Sequence, residues 1–327
     1  MNFLVVGGAG YIGSVVCEEL VRARHSVIVL DDLSTGHRDA VPALAYLIEG
    51  RIGDEEALKE ALTIKSLDAV IHLAGKSIVG ESMKFPEAYH EANVVDGIRL
   101  LDAMQTRDVR TIVYSSTAAV YDPSATMPLR EESALRPGNA YGNTKLAFER
   151  ILSERAGRGS ISHVTFRYFN VAGASIDHGE DHRDETHLIP LLLDAARGAR
   201  GPVPVYGTDY ATPDGTAVRE YVHVLDLAEA HVRAAKYLAG GGEPLTLNLG
   251  SERGASVREV VAAVKRVTGR EVPTVDAGRR EGDPPVLIAS SEAARRVVGW
   301  KPQFGDLDTI VETAWEWRQR FPEGYAS

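Results

Sequence analysis

The sequence predicts an α/β protein, a doubly wound parallel sheet with a smaller C-terminal α/β lobe. Three observations predict it. Short apolar runs alternate with helix-type segments through residues 1–170. A glycine cluster, Gly7, Gly8, Gly10 and Gly13, separates the first run from the first helix. Beyond residue 170 the composition loosens, and alternation resumes over 215–250. The expected division is a main domain of residues 1–170 rejoined by 215–250, with 171–214 and 251–327 forming the lobe.

Composition sets outer bounds. The chain has 327 residues, 44% apolar and 25% charged, as soluble globular proteins do. A net charge of −10 argues against nucleic acid or an anionic membrane surface, which need clustered Lys and Arg. It leaves room for a small anion held by a few Arg residues. Cys17 stands alone, so the fold needs no disulfide and no oxidising compartment. The N-terminus lacks a basic region, residues 3–6 are too short for a signal peptide, and no apolar run approaches ~20 residues. The expected compartment is the cytoplasm.

Residues 2–7 form a buried strand and 14–24 a helix. The glycines between them fit two templates: Gly8, Gly10 and Gly13 give G-x-G-x-x-G, and Gly7, Gly10 and Gly13 give G-x-x-G-x-x-G. Either lets backbone approach a pyrophosphate at a helix N-terminus. Residues 26–30 are a second strand ending in Asp31-Asp32. Asp31 is 18 residues beyond Gly13, near the spacing of an acid that binds the adenosine ribose diol. An acid there repels a 2′-phosphate, so the expected cofactor is NAD.

The alternation continues with a strand at 45–49, a helix at 55–62 capped by Asp54, a strand at 69–74, a long helix at 87–105 and a strand at 111–116. His72 reads as a packing histidine. Ser115, Ser116 and Thr117 leave the sheet at its ligand edge, where a hydroxyl can meet a sugar hydroxyl or carbonyl. Tyr141 and Lys145 then open a helix running to about residue 155. Four residues apart, they share one helix face, and an ammonium beside a phenol favours the phenolate. Tyr141 is thus a candidate acid/base with a lowered pKa. The spacing alone is one that chance supplies; the glycine loop and the strand-end hydroxyls give it weight.

In the second half, 162–170 is a strand and 174–185 a loop rich in Asp, His and Gly. Asp181, His182, Asp184 and His187 have no fixed metal-ligand spacing, so a solvated loop without metal is expected. A helix at 187–197 and a strand at 203–206 follow. Residues 219–226 lead to a helix at 227–238 and a strand at 245–249. Ser256 and Glu259 form a capping box opening a helix to 267, and 306–320 is a terminal helix in which Trp315 and Trp317 pack.

Taken in order, the glycine loop, Asp31–Gly36, Val70–Gly75, Val79–Ser82, Tyr114–Thr117, Tyr141–Lys145, Arg167–Asn170, Arg219–Asp226 and Arg279–Asp283 resemble the extended short-chain dehydrogenase/reductases. Within them the chain is similar to the UDP-glucose (UDP-galactose) 4-epimerases over nearly its whole length. The resemblance implies a Rossmann domain binding NAD and a lobe binding a UDP-sugar. It implies Tyr141 as acid/base, Lys145 as the residue that holds the nicotinamide ribose and tunes Tyr141, and Thr117 as the active-site hydroxyl. It assigns Gly7, Gly10, Tyr11, Ile12, Gly13, Asp31, Asp32, Leu33, Ser34, Thr35, Gly36, Arg51, Ile52, Leu73, Ala74, Gly75, Ser77, Asn93 and Phe169 to the cofactor, with Tyr141 and Lys145. Arg219 and Arg280 become candidates for a diphosphate clamp, since guanidinium matches phosphate oxygens. Asp283 becomes a ribose ligand, and Asn170, Leu188, Tyr206 and Tyr221 join the pocket with Thr117 and Tyr141.

Some positions depart from the family. Asp32 stands for the commoner Asn, and Arg51 for an Asp that with the next Ile contacts adenine. In Lys76-Ser77 the Lys comes one residue early, and Thr186 and His187 replace the usual Asn neighbours of Leu188. Leu287 falls where the family sets room for an N-acetyl group. Ala118-Ala119 after Thr117 replaces the Asp-Glu pair of 4,6-dehydratases and argues against that reaction. The expected activity is reversible 4-epimerisation of a UDP-hexose through a 4-keto sugar, by a homodimer pairing helices 87–105 and 141–155. Action on another UDP-sugar (N-acetylhexosamine, pentose or uronate), whether as epimerase or decarboxylase, and a non-catalytic NAD-binding regulator stay open.

Overall fold

The computed structural model describes residues 1–280 and 282–326, so Glu281, inside the 279–283 motif, lies outside the described residues. The main layer is β1 (Asn2–Val6), α1 (Tyr11–Arg22), β2 (Ser26–Asp31), β3 (Tyr46–Glu49), α2 (Glu55–Thr63), β4 (Ala69–His72), α3 (Val79–Ser82), α4 (Pro86–His90), α5 (Asp96–Thr106), β5 (Thr111–Ser115), α6 (Ala140–Gly157) and β6 (Ser162–Tyr168). After it come β7 (Asn170–Ala172), α7 (Leu188–Ala196), β8 (Val203–Tyr206), β9 (Val218–His223), α8 (Val224–Ala239), β10 (Leu245–Leu249), β11 (Gly254–Ser256), α9 (Val257–Thr268), β12 (Thr274–Ala277), β13 (Val286–Leu287), α10 (Glu292–Val298) and α11 (Leu307–Arg320).

Seven strands form one sheet in the order β3-β2-β1-β4-β5-β6-β10, and every pairing in it is parallel. The period-2 pattern of β1 sends Phe3 and Val5 into one core, with Val15, Val16 and Leu20 of α1. It sends Leu4 and Val6 into the other, with Leu58, Leu100 and Leu152. Strand order reverses between β1 and β4, which opens a crevice at the strands' C-terminal ends.

The lobe is assembled around β9. It pairs in parallel with β7 and β13 and antiparallel with β11. Beside it, β8 pairs in parallel with β12. Ile189 and Leu192 of α7, Val260 and Val264 of α9 and Ile310 and Val311 of α11 fill its core.

Three expectations change. The strand expected at 162–170 breaks at Phe169; β7 leaves the main sheet and sets Asn170 opposite Tyr221. The helix expected at 87–105 contains a π turn, Glu91–Val95, which re-aims Asn93. The boundaries are also crossed more often than expected. Strand β9 belongs to the lobe sheet, while Ala294, Val298 and the fully buried Trp300 join the main core. Trp300 Nε1 donates to the Asp226 carbonyl at 2.8 Å, and the Asp226 carboxylate accepts from the backbones of Gln303 and Phe304 at 2.7 and 3.0 Å. No helix among the described residues is long and apolar enough to cross a membrane.

Candidate active site

Gly7 and Gly8, the glycines that distinguish the two templates, are both confined, Gly8 because a Cβ there would stand 2.8 Å from Val29 Cγ1. Gly7 has φ +85°, and a Cβ there would stand 2.5 Å from the Ala74 nitrogen. A Cβ on Gly13 would overlap the Gly7 carbonyl oxygen. Gly10 is the N-cap of α1, so the first N–H groups of that helix, at Tyr11 and Ile12, have no carbonyl one turn back. Asp31 is pinned at the end of β2: its carboxylate accepts from Ala9 N and Leu33 N, each at 2.9 Å. Burial raises its pKa, and these two N–H groups oppose the rise. Gly36 brings the Asp32–Gly36 turn against the Ala9 backbone, and His37 N bonds the Ala9 carbonyl at 3.0 Å. Asp32 accepts from Ser34 N and Oγ at 3.0 and 2.6 Å, closing the turn that also holds Leu33 and Thr35. Bare backbone, open N–H groups and a fixed acid at the strand ends fit a dinucleotide.

Arg51 turns away from this loop to Asp96 of α5, at 2.9 Å, while Ile52 is buried. The far edge is held by Asn93. Its Oδ1 accepts from Lys76 N at 2.8 Å, and its Nδ2 donates to Lys76 O and Thr144 Oγ1 at 2.9 and 3.0 Å. The turn after β4, from Leu73 and Ala74 into Gly75 (φ +152°), is thereby tied to α6; Ser77 beyond it is exposed.

Tyr141 reaches the site because of its neighbour. A Cβ on Gly142 would collide with the Ala119 carbonyl, so only glycine lets α6 start against the Thr117–Val120 turn. Asn139 caps the helix through Gly142 N at 2.8 Å, and Ser82 Oγ accepts from Tyr141 N at 3.1 Å. Of the three strand-end hydroxyls, only Thr117 meets Tyr141. Ser115 Oγ lies 3.2 Å from His231 Nε2, and Ser116 donates to Glu149, which is paired with the buried Arg167 at 2.6 Å. Lys145, 5% exposed, donates to the Ser115 carbonyl at 2.9 Å and lies 5.0 Å from the Tyr114 ring centre.

The expected lowering of the Tyr141 pKa by Lys145 is corrected here. Burial pushes the phenol up to about 12, with Thr117 alone pulling it down. Burial also pushes Lys145 down to about 8, and Glu149 opposes that. The two do share a helix face, but desolvation disfavours both charges and the ammonium is spent on a carbonyl. His72 is a packing residue as expected: it is buried between the Tyr114 and Phe148 rings, and burial, with Lys145, holds it near 3.

The lobe brings the other candidates to one rim. Arg219 pairs with Asp283 and donates to the Val218 carbonyl at 2.8 Å. Arg280 lies over the Tyr206 ring, 4.1 Å from its centre. Asn170 Nδ2 donates to the Glu220 carbonyl at 3.1 Å, Tyr221 is buried, and Leu188 opens α7. Phe169 and Leu287 pack on Val120, Tyr121, Leu129 and Leu146, which joins the lobe to α6. Sequence reasoning quoted Ser82, Gly142 and Thr144 within its motifs but gave them no role, and it missed Asn139. Gly142 alone carried a signal, as a glycine inside a helix pattern.

The chain is 46% identical over 327 residues to the UDP-glucose 4-epimerase of Lacticaseibacillus casei, covering 99% of each. It is 47% identical over 325 residues to that of Streptomyces lividans, covering 99% of this chain and 98% of the relative. It superposes on the crystal structure of UDP-glucose 4-epimerase from Brucella ovis in complex with NAD with TM-score 0.93 and 44% identity, over 96% and 97% of the two chains. Residues 3–250 match the NAD dependent epimerase/dehydratase family, and the chain belongs to that family.

Proposed function

We propose that the protein interconverts UDP-galactose and UDP-glucose by inverting C4 of the hexose. The observation that carries this is the seating of Tyr141 against Thr117, with Lys145 behind it, at the edge of a glycine-lined dinucleotide crevice. The full-length likeness to UDP-glucose 4-epimerases supports the choice of sugar.

NAD, which the Gly7–Gly13 loop and Asp31 would hold, would supply a reversible hydride acceptor for C4. Tyr141 Oη takes the proton of the sugar 4-hydroxyl as the C4–O bond gains carbonyl character, and gives it back on reduction. Thr117 orients the 4-oxygen beside that phenol. Lys145 holds the Ser115 carbonyl, which fixes the strand end that leads to Thr117. Arg219 and Arg280 anchor the diphosphate and Asp283 the ribose, so the 4-keto sugar can turn over without leaving. Leu287, on the strand paired with Arg219, limits the room at C2.

The test is incubation of the purified protein with UDP-galactose, UDP-N-acetylgalactosamine and UDP-glucuronate separately, with products resolved by NMR. UDP-glucose forms from the first, with no net rise in NADH absorbance. Tyr141→Phe lowers kcat by about 100- to 10,000-fold. Near-full activity in that variant would overturn the mechanism, and turnover of only the N-acetylated or uronate sugar would overturn the substrate.

The proposal includes a homodimer that pairs the α4–α5 and α6 helices, approached by the exposed apolar side chains Val79, Met83 and Phe85. Light scattering should give twice the 35.4 kDa chain mass. It also includes the cytoplasm as compartment, since a chain with one cysteine has no disulfide to protect.

A further inference from the structure

The loop between β7 and α7 does not behave as a solvated connection. His182 and His187 meet, but their partners are Glu180 and Glu185, in a spacing of two, three and two residues. Asp181 faces elsewhere, accepting from Tyr325 N at 2.9 Å, and Asp184 is exposed. One ligand-type atom from each of the four lies within 4.8 Å of all the others. His187 Nδ1 is 2.8 Å from Glu180 Oε1 and 3.0 Å from Glu185 Oε1, and His182 Nε2 is 3.4 Å from Glu180 Oε1. A tetrahedral zinc site with bonds near 2.0–2.1 Å has ligand–ligand edges of about 3.3 Å. Three edges of the cluster, at 2.8, 3.0 and 3.4 Å, lie about that length, and the others lie within 4.8 Å.

A second observation points the same way. Glu185 Oε1 accepts from Thr186 N and His187 N, each at 2.7 Å, but its Oε2 is buried with no hydrogen-bond partner among the described residues. The Glu180 side chain is 7% exposed. His187 is half exposed and gives an entry path.

We propose that Glu180, His182, Glu185 and His187 bind one zinc-type divalent ion. With four protein ligands the site is closed, so the ion is structural. Its placement gives it a task. The His182 ring packs edge-on to Tyr11 of the glycine loop at 6.3 Å, and Tyr11 Oη donates to the Gly173 carbonyl at 2.6 Å. His187 directly precedes Leu188, the first residue of α7. The ion would staple the dinucleotide loop to the helix that opens the lobe. This inference does not depend on which sugar is turned over.

The test uses the untagged full chain, stripped with a chelator, given one equivalent of Zn(II) and desalted. Elemental analysis should find one zinc per chain, and Tm should rise by several degrees on re-addition. Co(II) in place of Zn(II) should show the intense visible bands of a four-coordinate ion. Those bands should vanish in His187→Ala, and Glu185→Gln should retain metal at least 10-fold more weakly. Loss of all metal on desalting of the wild-type chain would overturn the proposal without recourse to any variant. An unchanged cobalt spectrum in His187→Ala would overturn it too, by placing the ion elsewhere.

Discussion

In the cofactor half of the site Gly7, Gly13 and Gly36 press backbone against backbone, whereas in the proposed substrate half Arg219 meets Asp283 and Arg280 meets Tyr206 through side chains from separate segments. The first arrangement is set by the opening 36 residues and the Leu73–Ala74 backbone at the end of β4, and depends on the absence of side-chain atoms. The second depends on charge and stacking, across a rim assembled from residues far apart in the chain. One half should therefore fail abruptly under substitution, the other by degrees. The sharpest test compares two glycines three residues apart. Gly13→Ala sets a Cβ on the Gly7 carbonyl and should cost several kcal/mol, of the order of 3 or more, together with NAD retention. Gly10→Ala meets only that same oxygen, at 3.6 Å, and should cost under about 1 kcal/mol. Urea unfolding of both variants decides it; equal losses would mean that close backbone approach is not what shapes the loop.

The same contrast governs what could be read from the sequence. The glycine loop, Asp31 and the strand–helix alternation were legible because each is a local pattern whose cause lies within a few residues. Tyr141 and Lys145 were legible as a pair, but their electrostatics were not. Periodicity puts two side chains on one face and says nothing of how far each is desolvated. The π turn at Asn93 and the break at Phe169 were hidden because tertiary pairing, of Asn93 with Lys76 and of β7 with β9, outweighs local preference. The grouping of Glu180 and Glu185 with His182 and His187 was hidden because ligand sets were sought at 181, 182, 184 and 187. Which acids turn inward is decided by contacts with Tyr11 and Tyr325 at opposite ends of the chain.

Lys145 lies where the halves join, and its burial yields a pH signature. Its folded pKa, about 8, is below its ordinary 10.5. Between those values the unfolded chain holds the proton and the folded chain does not, so this group makes stability rise with pH from 8 to 10.5. Below pH 8 the folded state bears the full cost of the buried charge. Lys145→Met removes that cost and also the bond to Ser115. Relative to the wild type, the NAD-free variant should be better off below pH 8, and that advantage should shrink by up to ~3 kcal/mol as pH rises to 10.5. Denaturant unfolding at pH 7, 9 and 10.5 measures it. A pH-independent difference would show that the ammonium is not desolvated.

The substrate half should respond by degrees. Arg280→Ala removes a guanidinium held over Tyr206 and should raise KM for UDP-galactose about 10- to 100-fold while leaving kcat within about threefold. Arg280→Lys should fall between, since a point charge replaces a planar fork. If kcat falls and KM does not, Arg280 acts on the reacting sugar and not on the diphosphate.

The smallest effect is expected at Arg51, and it separates the glycine loop from its surroundings. Arg51 lies close in sequence to the loop's strands, yet its side chain is 55% exposed and its partner is Asp96, which also pairs with Arg99 at 2.7 Å. Arg51→Ala leaves Asp96 with one guanidinium in place, so the loss should stay under about 1 kcal/mol. NAD affinity should change less than about threefold, since the Ala9 and Leu33 N–H groups that fix Asp31 are untouched. Isothermal titration of the NAD-free chain gives the comparison. A tenfold loss would mean that Arg51 swings from Asp96 onto the adenosine when the dinucleotide binds, and the cofactor half would then owe part of its grip to a side chain after all.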